Sequence, residues 1–231
     1  MNTQLPLAVQ LAPELSLRDF ITGNNGQLLD ALARLARGEE RDNLYLSGPE
    51  ASGKSHLLMG LCALGQEQGL HCAYLPLKDL LDLPADLLRD MEQPDLLALD
   101  DVHLLAGRND WEEALFVLFN QRRATSRPLV FSADRGPASL PLTLPDLRSR
   151  LGWGASYRVH PLDDRGRREL LRNQARSRGL IMDEQAVNWL VSHHSRDPRQ
   201  LIRLMNELDQ AALATKKARL TLPFVQQHLA A

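Results

Sequence analysis

Aromatic residues supply only 5% of this 231-residue chain, and no apolar run approaches the roughly 20 residues that a membrane-spanning helix needs. The first scarcity argues against a stacking platform for single-stranded nucleic acid, the second against a bilayer protein. The two cysteines, Cys62 and Cys72, have no His or Cys partners at metal-site spacing, so buried, reduced thiols are expected rather than a metal site. Charge of one sign is lacking too. The net value is −2, too small for a nucleic-acid footprint over the whole surface. Met1 opens no basic and apolar leader, and a cytoplasmic location is the expectation. No internal repeat or low-complexity segment is evident.

Hydrophobic residues at 44% and charged residues at 24% are ordinary globular values. The length suits one α/β domain of roughly 150 residues with a smaller appendage. Residues 161–231 carry twelve Lys and Arg against eight Asp and Glu, so a basic second part follows an acidic first part. Such a face either meets nucleotide phosphate or is solvated helix surface, and composition leaves both open.

The most informative stretch is Leu44 to Ser55, Leu-Tyr-Leu-Ser-Gly-Pro-Glu-Ala-Ser-Gly-Lys-Ser, a complete G-x-x-x-x-G-K-[ST] phosphate loop between an apolar strand and a helix. Gly48, Pro49, Glu50, Ala51, Ser52 and Gly53 form the turn, whose backbone N–H groups point at phosphate oxygens. Gly48 and Gly53 permit a close approach, Lys54 supplies a charge for the outer phosphates, and Ser55 offers a hydroxyl to Mg2+, with His56 following on the helix. Further on, Asp95 to Asp101 reads as a buried strand that ends in two carboxylates. Asp100 is expected to hold the Mg2+ shell through water beside Ser55, and Asp101 to orient an attacking water.

The rest of the chain alternates strand and helix signals. Thr22-Gly23-Asn24-Asn25 reads as a capping cluster before a helix over 26–37. Helices are expected over 54–68 and 110–125, short helical turns over 80–91, and strands over 71–75, 128–132 and 156–160. Asp134 and Arg135 follow the strand at 128–132, where a polar group lies near a γ-phosphate. The fold class is therefore α/β, with a parallel five-stranded sheet carrying the phosphate loop. From Pro161 only helical signals remain, with acidic residues at helix starts, and a small all-helical domain is expected. The divisions are 1–12 as a tail, 13–160 as the α/β base and 161–231 as the helical part. In the tail, Gln4-Leu5-Pro6-Leu7-Ala8-Val9 is apolar and kept extended by Pro6, which suits another protein's groove or a loose terminus alike.

These pieces resemble the AAA+ proteins of the DnaA branch, the bacterial replication initiators and their relatives. Ser132-Ala133-Asp134-Arg135 stands at the sensor-1 position. Ser149-Arg150-Leu151-Gly152-Trp153-Gly154 is similar to the S-R-F-G-W-G stretch that carries the initiator's arginine finger. Asp197-Pro198-Arg199-Gln200-Leu201 resembles the N-V-R-E-L of sensor 2, which implies that Arg199 reaches bound nucleotide from a lid. The resemblance runs to the end of the lid, and a helix-turn-helix domain of the DnaA kind is not expected. Its tail is similar to the Q-L-[SP]-L-P-L clamp-binding motif of Hda-type regulators, with Ala8 and Val9 departing from the last two positions.

The resemblance implies a negative regulator of replication initiation, with Gln4 and Leu7 as the main anchors on the DNA polymerase III sliding clamp (β subunit). DNA would then be met only through the clamp, and no membrane is involved. Arg150 would act in trans on ATP bound to DnaA, while Lys54, Ser55, Asp100, Arg135 and Arg199 hold the chain's own ADP or ATP with Mg2+. Asp101 where many relatives have Glu implies slow intrinsic hydrolysis, and a homo-oligomer is possible. Two alternatives stand beside this reading: a DnaC-like helicase loader that binds single-stranded DNA and hydrolyses ATP, and a plain nucleotide-dependent adaptor.

Overall fold

The computed structural model describes residues 16–229, so the expectations for the tail lie outside the described residues. The chain divides into two compact units, one built mainly from Asn24–His160 and a second made of Ile21–Gly23 and the chain from Pro161 onward. In the first, α1 (Gly26–Ala36), β1 (Leu44–Ser47), α2 (Lys54–Glu67), β2 (Cys72–Pro76) and a single turn α3 (Leu77–Leu80) lead to β3 (Leu96–Asp100). Then come α4 (Asn109–Ala124), β4 (Leu129–Ala133), α5 (Pro145–Leu151) and β5 (Ala155–Arg158). The strands form one parallel sheet in the order β2-β3-β4-β1-β5. This is the five-stranded α/β base expected from the sequence.

Parallel strands need crossovers, which cover both faces with helices and leave central strands apolar throughout. β3 and β4 are buried along their whole length. Leu97 and Leu99 pack with Trp111, Leu115 and Phe119 of α4, whereas Leu96 and Ala98 pack with Leu32 of α1 and Leu58 and Leu61 of α2. Period-two alternation thus sends one strand's residues into two cores. Both cysteines are buried and free, as expected.

Some local readings shift. The last strand lies at Ala155–Arg158, not at 156–160, because the ladder to Leu44–Ser47 sets its ends. Asn25 precedes α1 but makes no side-chain cap. Instead its amide donates to the His160 carbonyl at 3.0 Å and accepts from the His160 N–H at 2.8 Å. Arg122, unremarkable in the sequence, is fully buried in α4. Its guanidinium reaches the carbonyls of Met91, Glu92, Pro94 and Pro128, fixing the entries to β3 and β4. Burial lowers its pKa to about 10, and the four carbonyls meet its Nη atoms in place of a carboxylate, while the buried Nε has no partner.

The second unit contains α6 (Asp164–Ser177), β6 (Ile181–Met182), α7 (Glu184–His193), α8 (Pro198–Thr215), β7 (Arg219–Leu220) and α9 (Leu222–Leu229). Leu171, Leu190, Met205, Leu208 and Val225 form its core. It is predominantly helical as expected, with one addition: β6 and β7 pair in parallel over two residues each. Asp163 and Asp197 cap α6 and α8, accepting from Gly166 and Arg199 N–H groups at 2.7 and 2.8 Å. Asp183 precedes α7 without a cap bond and takes the Arg219 guanidinium at 2.8 Å instead.

Candidate nucleotide-binding site

β1 ends at Ser47, and Gly48 N–H donates to the Ala133 carbonyl at 3.1 Å, tying the start of the loop to β4. A Cβ at Gly48 would stand 2.8 Å from the Val159 carbonyl oxygen; Gly53 has φ +97° and its Cβ would meet the Phe20 ring at 2.7 Å. Ala51 is also left-handed, at φ +58°. Such a turn aims successive N–H groups into one concavity, and the start of α2 adds the positive end of its dipole. Lys54 is buried, and its Nζ donates to the Gly48 and Pro49 carbonyls at 2.9 Å each, which keeps the ammonium against the loop. Ser52 Oγ is buried there with no hydrogen-bond partner. A concave run of N–H groups, a buried ammonium and an orphaned hydroxyl fit a polyphosphate. Pro49 and Glu50 are exposed on the rim. His56 departs from expectation, because its side chain meets the Ser16 carbonyl at 2.9 Å and the edge of Phe20 rather than the loop.

Asp100 is 2% exposed and held at both oxygens. Tyr74 OH donates to Oδ2 at 2.7 Å, and Ser132 Oγ donates to Oδ1 through a short hydrogen bond. Burial and the Asp100 carboxylate raise the Tyr74 pKa, which keeps the phenol a donor. Ser132 Oγ also accepts from Asp101 N–H at 2.9 Å. Asp101 sits at φ +62° with its carboxylate 3.9 Å from His103 Nδ1, and burial followed by the Asp100 charge raises its pKa. A carboxylate with raised proton affinity suits the orientation of a water.

Asp134 and Arg135 follow β4 at the same edge. The Arg135 guanidinium binds both oxygens of Asp134 at 2.9 and 2.7 Å and holds that carboxyl below its usual range. Tyr45 OH pins the Arg135 carbonyl at 2.9 Å. In the second unit, Arg199 lies at the start of α8 and pairs with Asp197 at 2.8 Å. Both arginines expected at nucleotide are thus engaged with neighbouring carboxylates. Exposed pairs of this kind contribute little to stability. Because β3, β4 and β1 are adjacent, the sheet's carboxyl edge gathers Gly48–Ser55, Asp100, Asp101 and Asp134. Tyr74 was not singled out in the sequence, and Ser132 appeared there only as the first residue of the sensor-1 stretch, without a role of its own. A hydroxyl in the buried run Leu129–Ala133 was the available signal for Ser132, whereas Tyr74 emerges only from the pairing of β2 with β3.

Arg150 is elsewhere. Trp153 and Gly154 lead into Ala155, which pairs with Leu44 at the start of β1. Arg150 is therefore at the amino edge of the sheet, a strand length of about 10 Å or more from the phosphate loop. Its guanidinium stacks 4.3 Å from the Trp153 ring centre and 5.8 Å from that of Phe116. It is half-buried, with Nη1 shielded and lacking a hydrogen-bond partner. The helix that carries it, α5, is fastened by Glu112, a buried carboxylate that accepts from the N–H groups of Gly107, Thr143 and Leu144 at 3.0, 3.1 and 2.7 Å.

Among the described residues no helix is long and apolar enough to cross a membrane, and no group of three or more His, Cys, Asp and Glu can hold a metal alone. A phosphate loop leaving β1, with an acidic strand end two places away and a helical second unit, defines a P-loop protein of the AAA+ class. Residues 11–158 match the bacterial DnaA ATPase domain, and residues 164–229 match the Hda lid domain. An uncharacterized protein of Haemophilus influenzae is 34% identical over 230 residues, 99% of either chain. Domain III of the Thermotoga maritima replication initiation protein DnaA superposes with a TM-score of 0.80 at 22% identity, covering 94% of this chain and 96% of that one. The replication initiator DnaA bound to AMPPCP and single-stranded DNA gives 0.76 at 20%, covering 90% and 69%. The chain belongs to the DnaA branch of the AAA+ proteins and is close to Hda.

Proposed function

We propose that this protein is a negative regulator of replication initiation that binds the sliding clamp and stimulates hydrolysis of DnaA-bound ATP with Arg150 in trans. The position of Arg150 carries the reading. A guanidinium at the amino edge of the sheet is too far to serve its own phosphate loop, yet no carboxylate among the described residues holds it. Stacked on Trp153, it is preorganised for a charge supplied by a neighbour.

The chain's own nucleotide, in this reading ADP, lies in the Gly48–Ser55 loop against Lys54, with Arg135 released from Asp134 to meet it. Ser55 and Asp100 hold Mg2+ through water, with Tyr74 and Ser132 fixing the carboxylate. When bound, Mg2+ neutralises the outer phosphates, which accords with a site completed by phosphate oxygens rather than by a protein cage. Asp101 reaches less far than a glutamate, so intrinsic hydrolysis is slow and the nucleotide acts mainly to fix shape. Its partner is DnaA, and DNA is met through the clamp.

Clamp attachment rests on Gln4 and Leu7. Replacing both by alanine is expected to abolish retention on immobilised DNA polymerase III β subunit while ADP affinity, measured by calorimetry, stays within twofold. A clamp complex that survives the double change refutes the tail assignment. The DnaC-like loader and the plain adaptor give different outcomes: the loader binds single-stranded DNA directly and hydrolyses its own ATP, and the adaptor leaves DnaA hydrolysis unchanged.

A further inference from the structure

Arg150 is not alone at the amino edge. Arg123, exposed in the last turn of α4, places its guanidinium carbon 4.4 Å from the centre of the Trp153 ring that Arg150 approaches at 4.3 Å. Two like charges are thus gathered at one indole, which is itself 41% exposed. Among the described residues neither guanidinium has a carboxylate partner. Other surface arginines, Arg37, Arg135, Arg172 and Arg219, pair with Glu39, Asp134, Glu184 and Asp183. The ring's negative face offsets part of the repulsion at each guanidinium but leaves the double positive charge standing.

We propose that Arg123 and Arg150 form a two-pronged anion site spaced by Trp153, and that its occupant is the phosphate chain of a nucleoside triphosphate presented by the partner subunit. The inference rests on the trans-acting reading and adds a division of labour to it. Arg150 meets the reacting phosphoryl group, whereas Arg123 contributes to docking. A triphosphate supplies several negative charges along its chain, enough for two forked donors gathered at one ring.

The test is single-turnover phosphate release from ATP-loaded DnaA on clamp-bound DNA, titrated with wild-type chain, Arg123→Ala or Arg150→Ala. Arg123→Ala is expected to raise the half-saturating concentration about tenfold, one charge-assisted contact, and to leave the saturating rate within twofold. Arg150→Ala is expected to lower the saturating rate. Binding of the chain to ADP-loaded and AMPPCP-loaded DnaA identifies the anion, because a phosphate contact makes the Arg123→Ala defect larger with the triphosphate analogue. An equal defect in both states would overturn the phosphate assignment. Unchanged half-saturation for Arg123→Ala, with Arg150→Ala still inactive, would remove the second prong and leave the trans reading standing. Full stimulation by Arg150→Ala would remove that reading itself. Arg123 is exposed, so correct folding of its variant is checked simply by unaltered ADP affinity.

Discussion

Replacing Arg150 by alanine is expected to reduce stimulated hydrolysis of DnaA-bound ATP on the order of 10²- to 10³-fold, with ADP binding and clamp binding retained. The size follows from the proposed role, in which the guanidinium meets charge that develops on a transferring phosphoryl group in a site shielded from water. Its own fold has little stake in it. No carboxylate among the described residues pairs with Arg150, so the variant loses stacking on Trp153 but breaks no salt bridge. Arg150→Lys keeps a charge yet loses the planar fork and the flat stack, and recovers little of the rate. Stimulation at the wild-type level by either variant would dismiss Arg150 from the reaction.

The second large effect concerns stability. Gly154 has φ +101°, and a Cβ there would lie 2.1 Å from the Asn43 carbonyl oxygen. That oxygen accepts from Ala155 N–H at 3.1 Å, and the Asn43 side chain accepts from Leu129 N–H at 2.8 Å, so Asn43 ties β1, β4 and β5 together at their starts. Backbone cannot step aside as a side-chain tip can. Gly154→Ala is expected to cost several kcal/mol, beyond the usual range of about 0.5–3 kcal/mol for point substitutions, because strain at positive φ adds to displacement of the sheet. Equilibrium denaturation in urea measures this directly. A loss below about 1 kcal/mol would mean that the turn before β5 yields without disturbing the sheet.

The two predictions also mark what the sequence could reveal. The phosphate loop and the acidic strand end were legible because each needs fixed residue types at fixed spacing, and the parallel sheet followed from apolar strands alternating with helices. Contacts between distant segments were not legible. Tyr74 reaches Asp100 only because β2 lies beside β3, and Glu112 fastens the Arg150 helix across about 30 residues of chain. Asn25 looked like a helix cap because its neighbours are capping residues, yet the structure uses it 135 positions away at His160. His56 stood next to the loop in sequence, but the segment at Ser16 and Phe20 claims its ring. In each case local pattern named the residue type and tertiary packing chose its partner. The position of Arg150 belongs to the same class: a motif marks the residue, and the pairing of Leu44 with Ala155 sets which edge of the sheet it occupies.

The most direct test of the central claim is phosphate release from ATP-loaded DnaA in a single turnover, with the ADP-bound chain and clamp-bearing DNA added separately and together. Release should accelerate only when both are present, with the phosphate originating from DnaA's nucleotide. Equal release without the chain, or with the chain in the absence of clamp-bearing DNA, would contradict it.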